Sequence, residues 1–165
     1  MFRKATDYMD IQYDSSCVER VSHENRWKCG FPIEEGVLEE TVTPTFYATY
    51  LYDLIQMAND GITKKSVKDY TQGEREWAVH RKDATTDRMA RVKNSEHGFF
   101  AINCLFHVLS TQDSQVNELT IGDETFSEAV GEWLEGKKVK AVDDDCGDTM
   151  ACNTHCPPSA TLPIS

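Results

Sequence analysis

The most apolar run in the chain is Glu96 to Ser110, EHGFFAINCLFHVLS, and from Phe99 to Leu109 its apolar residues would fall on nearly every face of a helix. That pattern predicts a fully buried helix. A buried strand is the alternative, because a short apolar run does not declare its period. Fifteen residues is long for a strand, which favours the helix. Ser95 is placed to cap it, and Glu96 lies where a negative charge suits the helix dipole.

Upstream, Thr43 reads as an N-cap and Pro44 as a first helical residue, with Val42 and Tyr47 placed as a hydrophobic staple. Phe46, Tyr47, Tyr50, Leu51, Leu54, Ile55 and Ala58 then recur at three-to-four spacing, and Gly61 can take the left-handed stop. This spacing predicts an amphipathic helix over 44–59. Thr71 and Glu74 form a capping box for a helix running to about Lys93. Its stripe of Trp77, Ala84, Met89 and Val92 is thin, so it should be solvated or packed on something outside the chain. A second capping box, Thr125 with Glu128, opens a short helix lined by Phe126, Val130, Trp133 and Leu134 and stopped at Gly136.

Smaller elements complete the pattern. Short strands are expected at Val37–Val42, at Leu119–Ile121 before the Gly122-Asp123 turn, and at Lys137–Val142, an edge strand guarded by its lysines. Thr63–Tyr70 suggests a helical turn. The resulting expectation is a mainly α (α+β) fold: a compact helical domain around a buried central helix 96–110, with a small two- or three-stranded β element. Residues 1–36 would form an irregular arm, 37–142 a single globular domain, and 143–165 an acidic tail containing cysteine and proline. The core should hold Tyr50, Leu54, Phe99, Phe100, Ile102, Leu105, Phe106, Leu109, Phe126 and Trp133.

Composition narrows the classes. The 165 residues carry a net charge of −11, yet 62–93 hold nine Lys/Arg against five Asp/Glu. An acidic chain repels phosphate, so nucleic acid is a poor partner. A basic protein surface, other protein subunits or a further copy of the chain suit it better. The first residues have no apolar stretch resembling a leader, and no run is long enough to span a bilayer. These features suggest an intracellular protein, in the cytoplasm or within an assembled particle, and hence reduced thiols at Cys17, Cys29, Cys104, Cys146, Cys152 and Cys156, with a disulfide among the tail cysteines as an alternative.

Candidate chemistry is sparse. Cys146, Cys152, His155 and Cys156 offer four zinc-ligand types within eleven residues, although one short loop supplying all four would be cramped. Cys104 and His107 are three apart and would share a helix face, a weak arrangement for a thiol nucleophile and its base. Near-matches to a phosphate loop at Gly131–Lys138, a zinc-protease helix at His23 and a calcium loop at Asp143 each lack a required residue. Trp77, Arg81, Arg88 and Arg91 on the basic helix, and Asp143, Asp144 and Asp145 on the tail, are the candidate partner-binding residues.

With no catalytic constellation legible, the sequence reads as a non-enzymatic interaction protein. It would be a structural subunit of a larger assembly, such as a viral particle, or a small acidic inhibitor or adaptor, without a cofactor. A zinc-binding regulatory module using the tail cluster is the alternative, and a thiol enzyme using Cys104 the second.

Overall fold

A computed structural model describes residues 12–30, 37–63, 66–92, 96–107, 113–143, 146–147 and 149–156. At its centre are three parallel strands: β1 (Phe46–Asp53), β2 (Gly98–Phe106) and β5 (Lys140–Val142), ordered β1-β2-β5. A separate antiparallel pair, β3 (Thr120–Ile121) and β4 (Glu124–Thr125), flanks the Gly122-Asp123 turn. Helices α1 (Ser15–Arg20), α2 (Leu54–Asn59), α3 (Gln72–Arg91), α4 (Asp113–Glu118) and α5 (Phe126–Leu134) complete the described elements, with 3-10 segments at His23–Gly30, Leu38–Glu40 and Val67–Asp69.

The central apolar run is therefore a strand, which corrects the expectation of a helix at 96–110. All nine residues of β2 are buried. A parallel strand covered on both faces loses the polar/apolar alternation of a half-exposed one and reads as an unbroken apolar segment. The expected 44–59 helix is corrected in the same sense. Its first half is β1, rich in the aromatic and β-branched residues Phe46, Tyr47, Thr49, Tyr50 and Tyr52 that suit a pleated surface. Only its second half, α2, is helical. The fold is thus α/β, a parallel sheet between helices, and not a mainly helical domain.

Each face of the sheet has its own core. On one, Tyr47, Leu51, Tyr52, Phe99, Ala101 and Leu105 meet Leu54 and Met57 of α2, and Ala78 and Met89 of α3. On the other, Tyr50, Phe100, Ile102, Cys104 and Phe106 meet Ala129, Phe126 and Trp133 of α5. Burying a side chain the size of Phe99 or Ile102 stabilises by about 1.5–3 kcal/mol before entropy is charged. Helix α3 packs on its own sheet through three buried residues of its twenty and is otherwise half-buried or exposed, so it is largely solvated as its thin stripe predicts. Its contact stripe is thin because small Ala78, the stem of buried Lys82 and Met89 do the packing.

Both capping boxes form as read: Thr71 with Glu74 on α3, and Thr125 with Glu128 on α5. Val37–Val42 contains a 3-10 turn at Leu38–Glu40 in place of the expected strand. The 63–70 turn is a 3-10 helix at Val67–Asp69. Leu109 of the expected core lies outside the described residues, while Phe126 and Trp133 are only partly buried.

All six cysteines are bridged, as Cys17–Cys29, Cys104–Cys156 and Cys146–Cys152. The expectation of reduced thiols is corrected accordingly. No helix among the described residues is long and apolar enough to cross a membrane.

Candidate active site

Strands β1 and β2 end level with each other, and each runs into a polar residue: Asp53 closes β1 and His107 follows β2, while β5 stops earlier, at Val142 beside Ala101, and is followed by Asp143. In open parallel sheets the carboxyl ends of the strands are where ligands bind and reactions occur, because loops and helix N-termini converge there.

Asp53 and His107 meet at this end. The His107 ring donates from Nδ1 to Asp53 Oδ2 at 2.7 Å. The other carboxylate oxygen, Oδ1, accepts from the backbone N–H groups of Ile55 and Gln56, both at 2.9 Å, and so caps α2. One carboxylate is thereby fixed on both edges. The Asp53 side chain is 11% exposed and the His107 side chain 35% exposed, a held acid beside an accessible imidazole. With Nδ1 donating, Nε2 carries the lone pair, and it meets no partner among the described residues. An oriented imidazole with a free Nε2 is equipped to take a proton from a hydroxyl and return it to a leaving oxygen. Nearby, the Tyr50 ring packs 5.5 Å from that of Phe106, and burial pushes the Tyr50 hydroxyl well above the usual phenol range.

An irregularity in the sheet sets the register of the pair. Tyr50 pairs with Ile102 and Tyr52 with Leu105, so Leu51 alone stands against both Asn103 and Cys104. Such a bulge re-aims the residues beyond it. It brings Asp53 level with Phe106 and makes His107 the next residue along. The C-terminal segment holds the bulge in place. Asp143 Oδ2 accepts from Asn103 N at 3.1 Å and from Asn153 Nδ2 at 2.7 Å. Asn153 N donates to Asn103 O, and Cys152 N donates to Asn103 Oδ1. The Cys104–Cys156 bridge fastens the same segment covalently.

The residues singled out in the sequence are placed otherwise than expected. Cys104 points into the core and is bridged, so the thiol-enzyme reading falls, and His107 turns to Asp53 instead. Of the proposed zinc ligands, Cys146 is joined to Cys152 and Cys156 to Cys104, while exposed His155 contacts Thr120 Oγ1 through Nδ1 at 3.2 Å. No group of three or more His, Cys, Asp or Glu residues is arranged to hold a metal ion among the described residues. Trp77 is partly buried against the sheet, and the Arg81 guanidinium lies 5.5 Å from its ring centroid. Arg91 bonds Asp87 O, Arg88 is engaged in an interaction of its own, and Asp143 faces inward to Asn103. Asp144 and Asp145 lie outside the described residues.

The sequence alone does not join Asp53 to His107, because the two are 54 residues apart. The available signal was a common context: Tyr-Leu-Tyr-Asp and Cys-Leu-Phe-His each end an apolar run with a group able to move or hold a proton.

The family comparison bears on the same chemistry. No curated protein matches the chain. A family model described as pectinacetylesterase matches residues 2–157, nearly the whole length. A family named for ester hydrolysis overturns the reading of a non-enzymatic subunit, inhibitor or adaptor, and with it the expectation that no enzyme is present. The chain belongs to the pectinacetylesterase family.

Proposed function

We propose that this protein is a carbohydrate esterase that removes acetyl groups, with Asp53 and His107 as the orienting acid and the general base. The observation that carries the reading is the 2.7 Å contact between His107 Nδ1 and Asp53 Oδ2 at the carboxyl ends of adjacent parallel strands. Asp53 holds the ring in the tautomer that leaves Nε2 basic, and it stabilises the imidazolium formed when Nε2 accepts a proton. The hydroxyl that loses this proton attacks the acetyl carbonyl carbon. The proton then passes from Nε2 to the sugar oxygen as its bond to the carbonyl breaks. The order Asp53 before His107 agrees with the Ser…Asp…His order of α/β hydrolases. The 165 residues contain no Gly-x-Ser-x-Gly.

Three bridges also favour an oxidising compartment over the interior of a cell, since disulfides persist where thiols are not continually reduced.

The test is acetate release from an acetylated pectic polysaccharide by the intact protein. His107→Ala should lower kcat by on the order of 10³-fold or more. Asp53→Asn keeps an oxygen to cap α2 but presents an N–H to Nδ1, which forces the wrong tautomer. It should cost about 10⁴-fold in kcat with little loss of stability, as in triads generally. Activity above a tenth of wild type in either variant would overturn the assignment. Labelling with a fluorophosphonate would identify a serine as the attacking group.

A further inference from the structure

We infer that Arg81 is a positioning residue for the Asp53–His107 pair, acting from α3 through Gln56; the inference rests on the catalytic reading of that pair. Its basis is the weakness of the element on which Asp53 depends. Helix α2 has only six residues, and a helix that short does not hold its shape in water unaided. Yet the backbone N–H groups of Ile55 and Gln56, in its first turn, fix the Asp53 carboxylate. Any rotation of that turn would carry Oδ1 with it and tilt Oδ2 away from the imidazole.

The turn is held from outside. Arg81 Nη2 donates to Gln56 Oε1 at 3.1 Å, and Gln56 is the same residue whose N–H binds Asp53. The guanidinium is itself oriented by lying over the Trp77 ring one turn earlier on α3. Helix α3 spans twenty residues, has a complete capping box, and buries Ala78 and Met89 in the sheet. Leu54 and Met57 anchor this short helix in the core it shares with α3, and Arg81 adds the polar tether that reaches its first turn. Asp53, Gln56, Trp77 and Arg81 surround a crevice of about 10 Å³, room for no more than one water. Gln56 and Arg81 are both half-buried, so the contact is only partly open to solvent. A planar guanidinium that both stacks and donates is suited to this task in a way a lysine is not.

Arg81 is only partly buried, so its substitution leaves the fold standing. The experiment reads two independent signals in Arg81→Met, Arg81→Lys and Gln56→Met. The first is the low-field proton resonance of His107 Nδ1–H, which reports the bond to Asp53 without substrate. The second is the division of the kinetic effect between kcat and KM. Arg81→Met should broaden or shift the resonance and lower kcat about tenfold with KM unchanged, because Arg81 does not touch substrate. Lysine should restore less than half of the loss. Gln56→Met should reproduce the effect, and the double variant should be no worse than either single one. An unchanged resonance in Arg81→Met, a change confined to KM, or full additivity in the double variant would overturn the proposal. If the unaltered protein released no acetate while the resonance still responded to Arg81→Met, the esterase reading would fall and the positioning role would stand.

Discussion

Asp53 does two jobs with one carboxylate, and residues of this kind are hardest to recognise in a sequence. Read locally, Asp53 is an ordinary N-cap ahead of Leu54-Ile55-Gln56. The catalytic role we propose for it exists only once His107 arrives from 54 positions away. Gly98 presents the same problem. It opens β2 with nothing in the sequence to set it apart, yet a Cβ there would collide with the Phe46 ring and lie 2.9 Å from Trp133 Cδ1. Phe46 cannot swing clear, since Phe126 and Trp133 flank it at centroid distances of 6.1 and 5.6 Å. Gly98→Ala should therefore destabilise the protein by about 1–3 kcal/mol, the usual cost of overpacking. Urea unfolding followed by tryptophan fluorescence measures it, and a midpoint unchanged from wild type would contradict the packing described.

Among the elements, what was legible followed from local chemistry. Thr71 with Glu74 and Thr125 with Glu128 each carry their own hydrogen-bond logic within four residues, and both helices start where those pairs place them. The strands were misread because burial on both faces erases the alternation by which a strand announces itself. In β1, moreover, Phe46, Tyr47, Tyr50 and Leu51 happen to fall at helical spacing. The Asn103 bulge was invisible for a different reason: it exists only relative to Leu51 on the neighbouring strand. The disulfides were misjudged from the start of the chain, and connectivity among six cysteines is not deducible from spacing. One of them has a measurable role at this scale. Cys104–Cys156 ties positions 52 residues apart and pins the segment that bonds Asn103. Replacing both cysteines by alanine should cost about 2–4 kcal/mol, largely by freeing the unfolded chain. It should also lower kcat, since the bulge that aligns Asp53 with Phe106 loses its fastening. Thermal unfolding and acetate release on the same samples would separate these effects, and a loss of stability with unaltered kcat would show that the bulge needs no such support.

For the molecule as a whole, the parallel order β1-β2-β5 has a consequence in time. Parallel neighbours cannot be joined by a tight turn, so each pairing must close a long excursion of chain before any contact repays it. The β1–β2 register joins Phe46 to Gly98 and Asp53 to Phe106, all across about half a hundred residues. Contacts so distant in sequence form slowly, and they leave strand edges exposed while they wait. The acid and the base cannot meet until that sheet has closed. Refolding from urea with the bridges intact should therefore restore helical circular dichroism in an early phase. The His107–Asp53 resonance and any acetate release should return together in the slowest one. Recovery of the resonance in step with the earliest helical signal would mean that the pair assembles locally. If the order is as expected, a newly made chain passes through an interval in which it is already helical, already collapsed and still unable to cut an ester.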